Sequence, residues 1–427
     1  MQVLLSLSVA LFAGLMLSRL AKLVNLPAVT AYLVAGILIG PYLLGAFKVP
    51  GLGFISMEDI ETYSIISDVA LGFIAFSIGN EFRLAQLKTI GKQATVIGIM
   101  QAVFTTLLVD AALIGLHFVI PEQLPLPAAI VLGAIASATA PAATLMVVKQ
   151  YKAKGPVTDI LLPIVALDDA VGLVLFAVSF GVAKALMSGA VDIISVVLEP
   201  VIEVIGSLLL GFIMGMLFTF FEKFFHSRSK RLSMSVTFVL LTVALSMLKF
   251  EIFGIHVAFS SLLVCMMLGT VFCNFCDFSE ELMARVDRWT APIFILFFVI
   301  SGAELELSVF ADVTIVIVGV VYILSRCIGK YFGASVSAKG MKCEPNIVKY
   351  LGITLWPQAG VALGMAIKAG ALGGVGVLIA NITLFSVLVY ELVGPFLTKV
   401  ALTKAGEIKP EEKTSARELA KQGTVIH

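Results

Sequence analysis

Apolar runs of about twenty residues alternate with short polar connectors from the first residue to about residue 400. An α-helix rises about 1.5 Å per residue, so each run can cross the roughly 30 Å hydrocarbon layer of a bilayer. The pattern predicts thirteen helices, at 2–23, 26–45, 63–80, 93–119, 125–148, 157–187, 193–222, 232–250, 256–275, 290–307, 311–337, 346–369 and 372–400. These form one transmembrane domain over residues 1–400. Residues 401–427 are short and polar and are expected to be a cytoplasmic tail, disordered or a frayed helix, with no room for a regulatory nucleotide-binding domain.

Thirteen helices can be written as six, one and six. An offset of seven pairs helix 5 with helix 12, and an odd offset reverses direction, which is the arithmetic of two inverted-topology six-helix repeats. Helix 5 carries Pro141 in SATAPAATL and helix 12 carries Pro357 in TLWPQAGVALG. Proline within a span frees backbone carbonyls, tolerable at membrane depth only where something polar or wet takes them up. An ordinary kink is the plainer reading of either proline alone. Matching places in two halves favour a pair of broken, crossing helices.

Composition confirms the class: 59% of the 427 residues are hydrophobic and 13% charged, with mean hydropathy +1.06. That is too little charge to clothe a soluble domain of this size. The first residues lack a positive n-region and read as a first spanning helix, with no cleaved signal peptide. An outside N-terminus puts Arg19, Lys22, Arg83 and the basic loops around Lys149–Lys154, Lys223–Arg231, Arg285–Arg288 and Lys339–Lys349 in the cytoplasm. Only Lys48, Lys184, Lys249 and Lys368 then lie outside, the asymmetry that the positive-inside rule asks for. No basic patch with interleaved aromatics points to nucleic acid. Cys273 and Cys276 make a lone CxxC without a second pair, and Cys265, Cys327 and Cys343 are scattered.

Ionisable groups within spans are costly and mark function. Asp168 and Asp169, in ILLPIVALDDAVGLVLFAV, fall about a dozen residues into helix 6, roughly 18 Å along it and near the bilayer midplane. Two adjacent carboxylates cannot both ionise cheaply at low dielectric without a cation. The pair offers hard oxygen ligands when charged and none when protonated, so proton and metal cation compete, as exchange requires. A pair satisfied by nearby hydroxyls is the plainer alternative. Helical neighbours diverge by about 100°, so the two acids are expected to do different jobs and do not form a protease-like dyad. Lys330, in SRCIGKYFGA, is the candidate partner for one of them, unless it snorkels to the surface. Arg326, one turn deeper, must pair with something, and Asp110 on helix 4 is one prospect. Ser137, Thr139 and Thr144 flank the helix 5 proline and Gln358 stands beside the helix 12 proline, placed to contribute oxygens or to bond back along their own helices. Glu199 and Glu203 suggest a wet outer face, while Asp68 and Glu81 stay undecided. His117, His226, His256 and His427 form no cluster.

The motifs also carry a resemblance. LPAVTAYLVAGILIGPYLLG at 26–45, IAFSIGNEF, SATAPAATLMVV, ALDDAVGLVLF, IGKYFG and PQAGVALG resemble, in order, the signature segments of the cation/proton antiporter superfamily, especially its monovalent cation:proton antiporter-2 branch. The resemblance runs to about residue 400. It implies an antiporter, not an enzyme, without a cofactor, exchanging sodium, or else potassium or lithium, for protons by an elevator movement in a homodimer. The setting would be a bacterial or archaeal inner or cell membrane, with the N-terminus outside and the C-terminus in the cytoplasm. It implies Asp169 as the ion- and proton-binding carboxylate, Asp168 paired with Lys330, and Thr139 completing the coordination of the cation, with Ser137, Pro141, Arg326, Pro357 and Gln358 in support. Two acids, where some relatives have Asn-Asp, go with electrogenic exchange. Ala140, where some relatives have an acid, and Gln358-Ala359, where many have Arg-Gly, depart from the pattern. The alternatives are a potassium efflux system with a separate regulatory subunit and a sodium-coupled organic-anion symporter.

Overall fold

A computed structural model describes residues 2–23, 26–49, 53–80, 82–188, 199–248, 250–252, 255–257, 259–276, 278–304 and 311–408. Glu81, His427 and the rest of the tail beyond 408 lie outside the described residues. In chain order the helices are α1 (Gln2–Leu23), α2 (Ala28–Ile39), α3 (Met57–Glu61), α4 (Ser64–Asn80), α5 (Leu84–His117), α6 (Leu126–Ile135), α7 (Pro141–Tyr151) and α8 (Pro156–Ser188). They continue with α9 (Glu199–Glu222), α10 (Arg228–Ser246), α11 (Ser261–Phe275), α12 (Ser279–Glu304), α13 (Val313–Gly340), α14 (Pro345–Thr354), α15 (Gly360–Ala369) and α16 (Gly374–Lys404). A short antiparallel hairpin, β1 (Phe250–Ile252) with β2 (Ile255–Val257), lies between α10 and α11, so the predicted helices 232–250 and 256–275 are shortened at the ends that face each other.

The chain is an all-α multi-pass membrane protein. Among the described residues, 8 helices are long and apolar enough to cross a bilayer, and shorter apolar helices lie between them. Two expected spans, 125–148 and 346–369, are each interrupted. α6 and α7 are separated by a non-helical stretch at 136–140, and α14 and α15 by one at 355–359. Proline explains both breaks locally. Pro141 is the first residue of α7, where its missing N–H costs nothing. Pro357 cannot continue α14, and Ala359 before α15 is non-helical, with φ −156° and ψ −134°.

Packing divides the helices by neighbour. α1, α2, α4, α9, α10, α11 and α12 pack mainly on one another, and α5–α8 pack with α13–α16. Without a hydrophobic drive between helices in lipid, close approach needs small residues. α2 meets α12 in this way: a Cβ on Gly36 would lie 2.0 Å from the Val299 carbonyl oxygen, and one on Gly302 would lie 2.2 Å from that of Leu33. Where the two groups face each other, a cavity of about 1230 Å³ opens. It is lined from α7 and α8 by Lys149, Thr158 and Asp159 and from α12 by Asp287 and Arg288, the end of the molecule where the basic loops gather. Lys149 Nζ bridges to Asp287 Oδ1 at 2.6 Å across its rim, and Ser77 on α4 donates to the same oxygen at 3.1 Å.

Candidate functional site

Each break leaves carbonyls that no helix accepts, and the two breaks lie against one another. The Ala140 N–H donates to Pro357 O at 2.8 Å, and Thr139 Oγ1 lies 3.3 Å from Leu355 O. The remaining carbonyls are met by side chains. Arg326 on α13 is wholly buried and donates through Nε to Ala136 O (2.9 Å), through Nη1 to Trp356 O (2.7 Å) and through Nη2 to Ala138 O (2.6 Å). One guanidinium therefore holds both interruptions, and its charge sits at the carbonyl ends of α6 and α14, the negative ends of their dipoles. Gln358 adds a further link, from Nε2 to Ile135 O at 2.9 Å, and exchanges hydrogen bonds with Tyr322. The Arg326 guanidinium also lies 4.5 Å from the centroid of the Tyr390 ring.

Lys330 stands one turn further along α13 on the same face. Both it and Asp168 on α8 are 0% exposed, and they form a salt bridge of 2.9 Å. Nζ also donates to Ser137 O and, at 3.0 Å, to Thr139 Oγ1. Asp168 is fully occupied: Oδ2 accepts from Lys330 and from Thr139 Oγ1 (2.6 Å), and Oδ1 accepts from Gln101 Nε2 on α5. Gln101 and Lys330 can both reach Asp168 because α13 approaches α5 closely, Gly333 and Gly329 lying against the backbone of Gln101 and Thr105.

Asp169 is different. It is 1% exposed, yet neither carboxylate oxygen has a hydrogen-bond partner among the described residues. It lies within electrostatic reach of Asp168 and Lys330. A lone buried carboxylate costs several kcal/mol, on the order of the penalty for any unpaired ion, unless it carries a proton or a cation. Adjacent residues thus occupy different settings, as the divergence of helical neighbours requires: Asp168 is held by three side chains, while Asp169 has no hydrogen-bond partner among the described residues.

The structure brings together Asp168, Thr139, Lys330, Ser137, Arg326, Pro357 and Gln358, with Asp169 beside them and Pro141 at the edge of the break. It does not bring Arg326 to Asp110. The guanidinium is used on carbonyls, and Asp110 Oδ1, packed over Gly133, has no partner among the described residues. Thr144 donates back to Ala140 O at 3.1 Å within its own helix. Glu203 pairs with Lys368 at 3.2 Å at the surface, and His117 Nδ1 is bound to Leu124 O. Gln101, Tyr322 and Tyr390 were not singled out from the sequence. A glutamine deep in the α5 run was the one legible signal, since the tyrosines look like any membrane aromatics. Glu391, in SVLVYELVGPF on α16, was also missed; it is buried with Oε2 unpartnered among the described residues.

Two interrupted helices in contact at their breaks, around a buried acid pair and a lysine, define a multi-pass secondary carrier of a small cation. The family model for the transmembrane part of sodium/hydrogen exchangers matches residues 7–404, and the chain belongs to that family. It is 25% identical over 334 residues to the high-affinity Na(+)/H(+) antiporter NhaS3 of Synechocystis sp., covering 72% of this chain and 69% of that protein. It is 24% identical to the Na(+)/H(+) antiporter NhaS4 of the same organism over 367 residues, 81% of this chain and 83% of that one. Its fold is that of the sodium proton antiporter MjNhaP1 from Methanocaldococcus jannaschii. One structure of that protein aligns with TM-score 0.73 at 19% identity over 95% of this chain and 98% of that one. A second, at pH 8, aligns with TM-score 0.65 at 20% identity over 95% and 97%.

Proposed function

We propose that this chain exchanges sodium, with potassium or lithium as alternative cargoes, for protons at Asp169. The observation that carries the reading is a buried carboxylate with both oxygens unpartnered among the described residues, next to an acid already held by Lys330, Thr139 and Gln101. Charge balance then makes the two cargoes competitive. Asp169 holds either a proton or a cation, and an empty ionised site is too costly to cross the membrane. Hard oxygen ligands suit an alkali cation, and the carbonyls and hydroxyl of the nearby break are within the same region of the fold.

Asp168 and Lys330 supply the ion-paired part of the site. If their bridge opens during transport, Lys330 can release a proton as the cation binds, which would make the exchange electrogenic. Leaving out the five-residue α3 and counting each interrupted pair as one span, the described helices number thirteen, and the matched breaks support two inverted six-helix repeats with an outside N-terminus and a cytoplasmic C-terminus. The division of packing into two helix groups, with the cavity between them, supports an elevator movement of α5–α8 and α13–α16 against the rest. A homodimer is proposed on the family resemblance.

The test is cation-induced dissipation of a proton gradient in everted vesicles, with sodium, lithium or potassium, for wild type and Asp169→Asn. Wild type should respond to at least one cation and the variant to none. Silence of wild type toward all three between about pH 6.5 and 9 would overturn the reading.

A further inference from the structure

α8, the helix that carries the acid pair, begins without a cap of its own. Its first residue is Pro156, and Gly155 before it has no side chain to accept the exposed N–H groups of the first turn. The cap comes from the far end of the chain. Val157 N donates to Glu407 Oε1 at 2.6 Å, Thr158 N to Oε2 at 2.8 Å and Thr158 Oγ1 to Oε2 at 2.6 Å. The Glu407 carbonyl also accepts from Lys154 N at 3.1 Å. Glu407 is 6% exposed.

Local chemistry at both ends builds this contact. After α16, Gly406 adopts φ +80°, and Glu407 N donates to Leu402 O at 3.0 Å, a Schellman turn that throws the next side chain back along the helix. Asn346 Nδ2 holds Ala405 O at 3.2 Å, and Ile408 is buried in one cluster with Val157, Leu161 and Ile347. On the other side Gly155 has φ +155°, and a Cβ there would lie 2.6 Å from Glu407 Cδ. Only glycine leaves room for the carboxylate.

The contact closes a ring. α8 carries Asp168 and Asp169 about 18 Å beyond the capped turn. Asp168 reaches α13 through Lys330 and the breaks through Thr139. α16 touches the second break where Gly394 packs on Pro357, supports Arg326 with Tyr390, and returns to the start of α8 through Glu407. A carboxylate on a helix N-terminus is favoured by the dipole, so the link holds α8 along its own axis. We infer that Glu407 is a positioning residue for ion exchange, fixing the depth of the Asp168–Asp169 helix against the two interruptions from outside the transmembrane runs. This rests on the proposed role of Asp169.

The experiment compares wild type, Glu407→Ala, Glu407→Gln and Glu407→Asp, full length, in everted vesicles at matched protein abundance. KM for the cation and the pH of half-maximal exchange are read together with apparent Tm of the purified proteins. Glu407→Ala should raise KM by about fivefold or more, the scale of a lost helix cap, and displace the pH profile. Glu407→Gln, which keeps the shape and one acceptor, should fall between, and Glu407→Asp should recover most of the wild-type KM. If Glu407→Ala does not accumulate, the glutamine variant carries the test. A lowered Tm with KM and pH profile unchanged in Glu407→Gln and Glu407→Asp would overturn the inference while leaving Asp169 untouched. Wild-type vesicles inert to every cation would instead overturn the reading of Asp169.

Discussion

Lys330→Met removes one half of a fully buried ion pair without changing side-chain volume much. The methionine cannot donate, so Asp168 keeps Thr139 and Gln101 but loses its cation, and Ser137 O loses its donor. Breaking such a pair from one side costs about 3–5 kcal/mol, because a buried charge is left uncompensated. If most of that cost appears in the unfolding rate, the half-life of the purified protein at a fixed elevated temperature should shorten about a hundredfold or more. Asp168→Asn combined with Lys330→Met removes the stranded charge and should recover at least half of the lost free energy. The deficit of the single variant relative to wild type should also shrink as pH falls, since a protonated Asp168 no longer needs the ammonium. The assay is loss of monodisperse protein with time in detergent, at two pH values, for the single and double variants. A single variant within about threefold of wild type, or a double variant no longer-lived than the single, would refute the argument that this bridge compensates a buried charge.

Arg326→Lys should destabilise by about 2–3 kcal/mol even though charge is kept, because an ammonium cannot span Ala136 O, Ala138 O and Trp356 O in the fork geometry of a guanidinium; an unchanged apparent Tm would contradict this. Gly36→Ala should sharply reduce folded yield, since its Cβ would fall 2.0 Å from Val299 O, whereas Gly115→Ala, with nothing within 4 Å, should be neutral in the same expression and melting assay.

Much of the site was legible because membrane burial makes polar residues conspicuous. Asp168, Asp169, Lys330 and Arg326 stand out in apolar runs, and the two prolines sit at the breaks that the structure contains. The partner of Arg326 was not legible. A guanidinium in a span needs acceptors, and the sequence offers carboxylates such as Asp110 more visibly than it offers carbonyls freed by a break elsewhere in the chain. Gln101 could be noticed as a polar intruder, but nothing in α5 shows that it faces Asp168.

The sequence by itself determined that the chain is a helical multi-pass membrane protein, which prolines stand within its apolar runs and which acids have no ordinary reason to be buried. Those follow from local rules: the length of apolar runs, the missing N–H of proline and the cost of charge in hydrocarbon. Spacing along the chain left open which acid is paired; the resemblance implied Asp168 with Lys330, and the tertiary structure forms that pair because of how α8 is rotated toward α13. The placement of Glu407 on Val157 and Thr158 was decided only by the tertiary structure. That contact joins residues 250 apart, and its donors are backbone groups that every residue but proline carries, so no side-chain pattern along the chain could announce it.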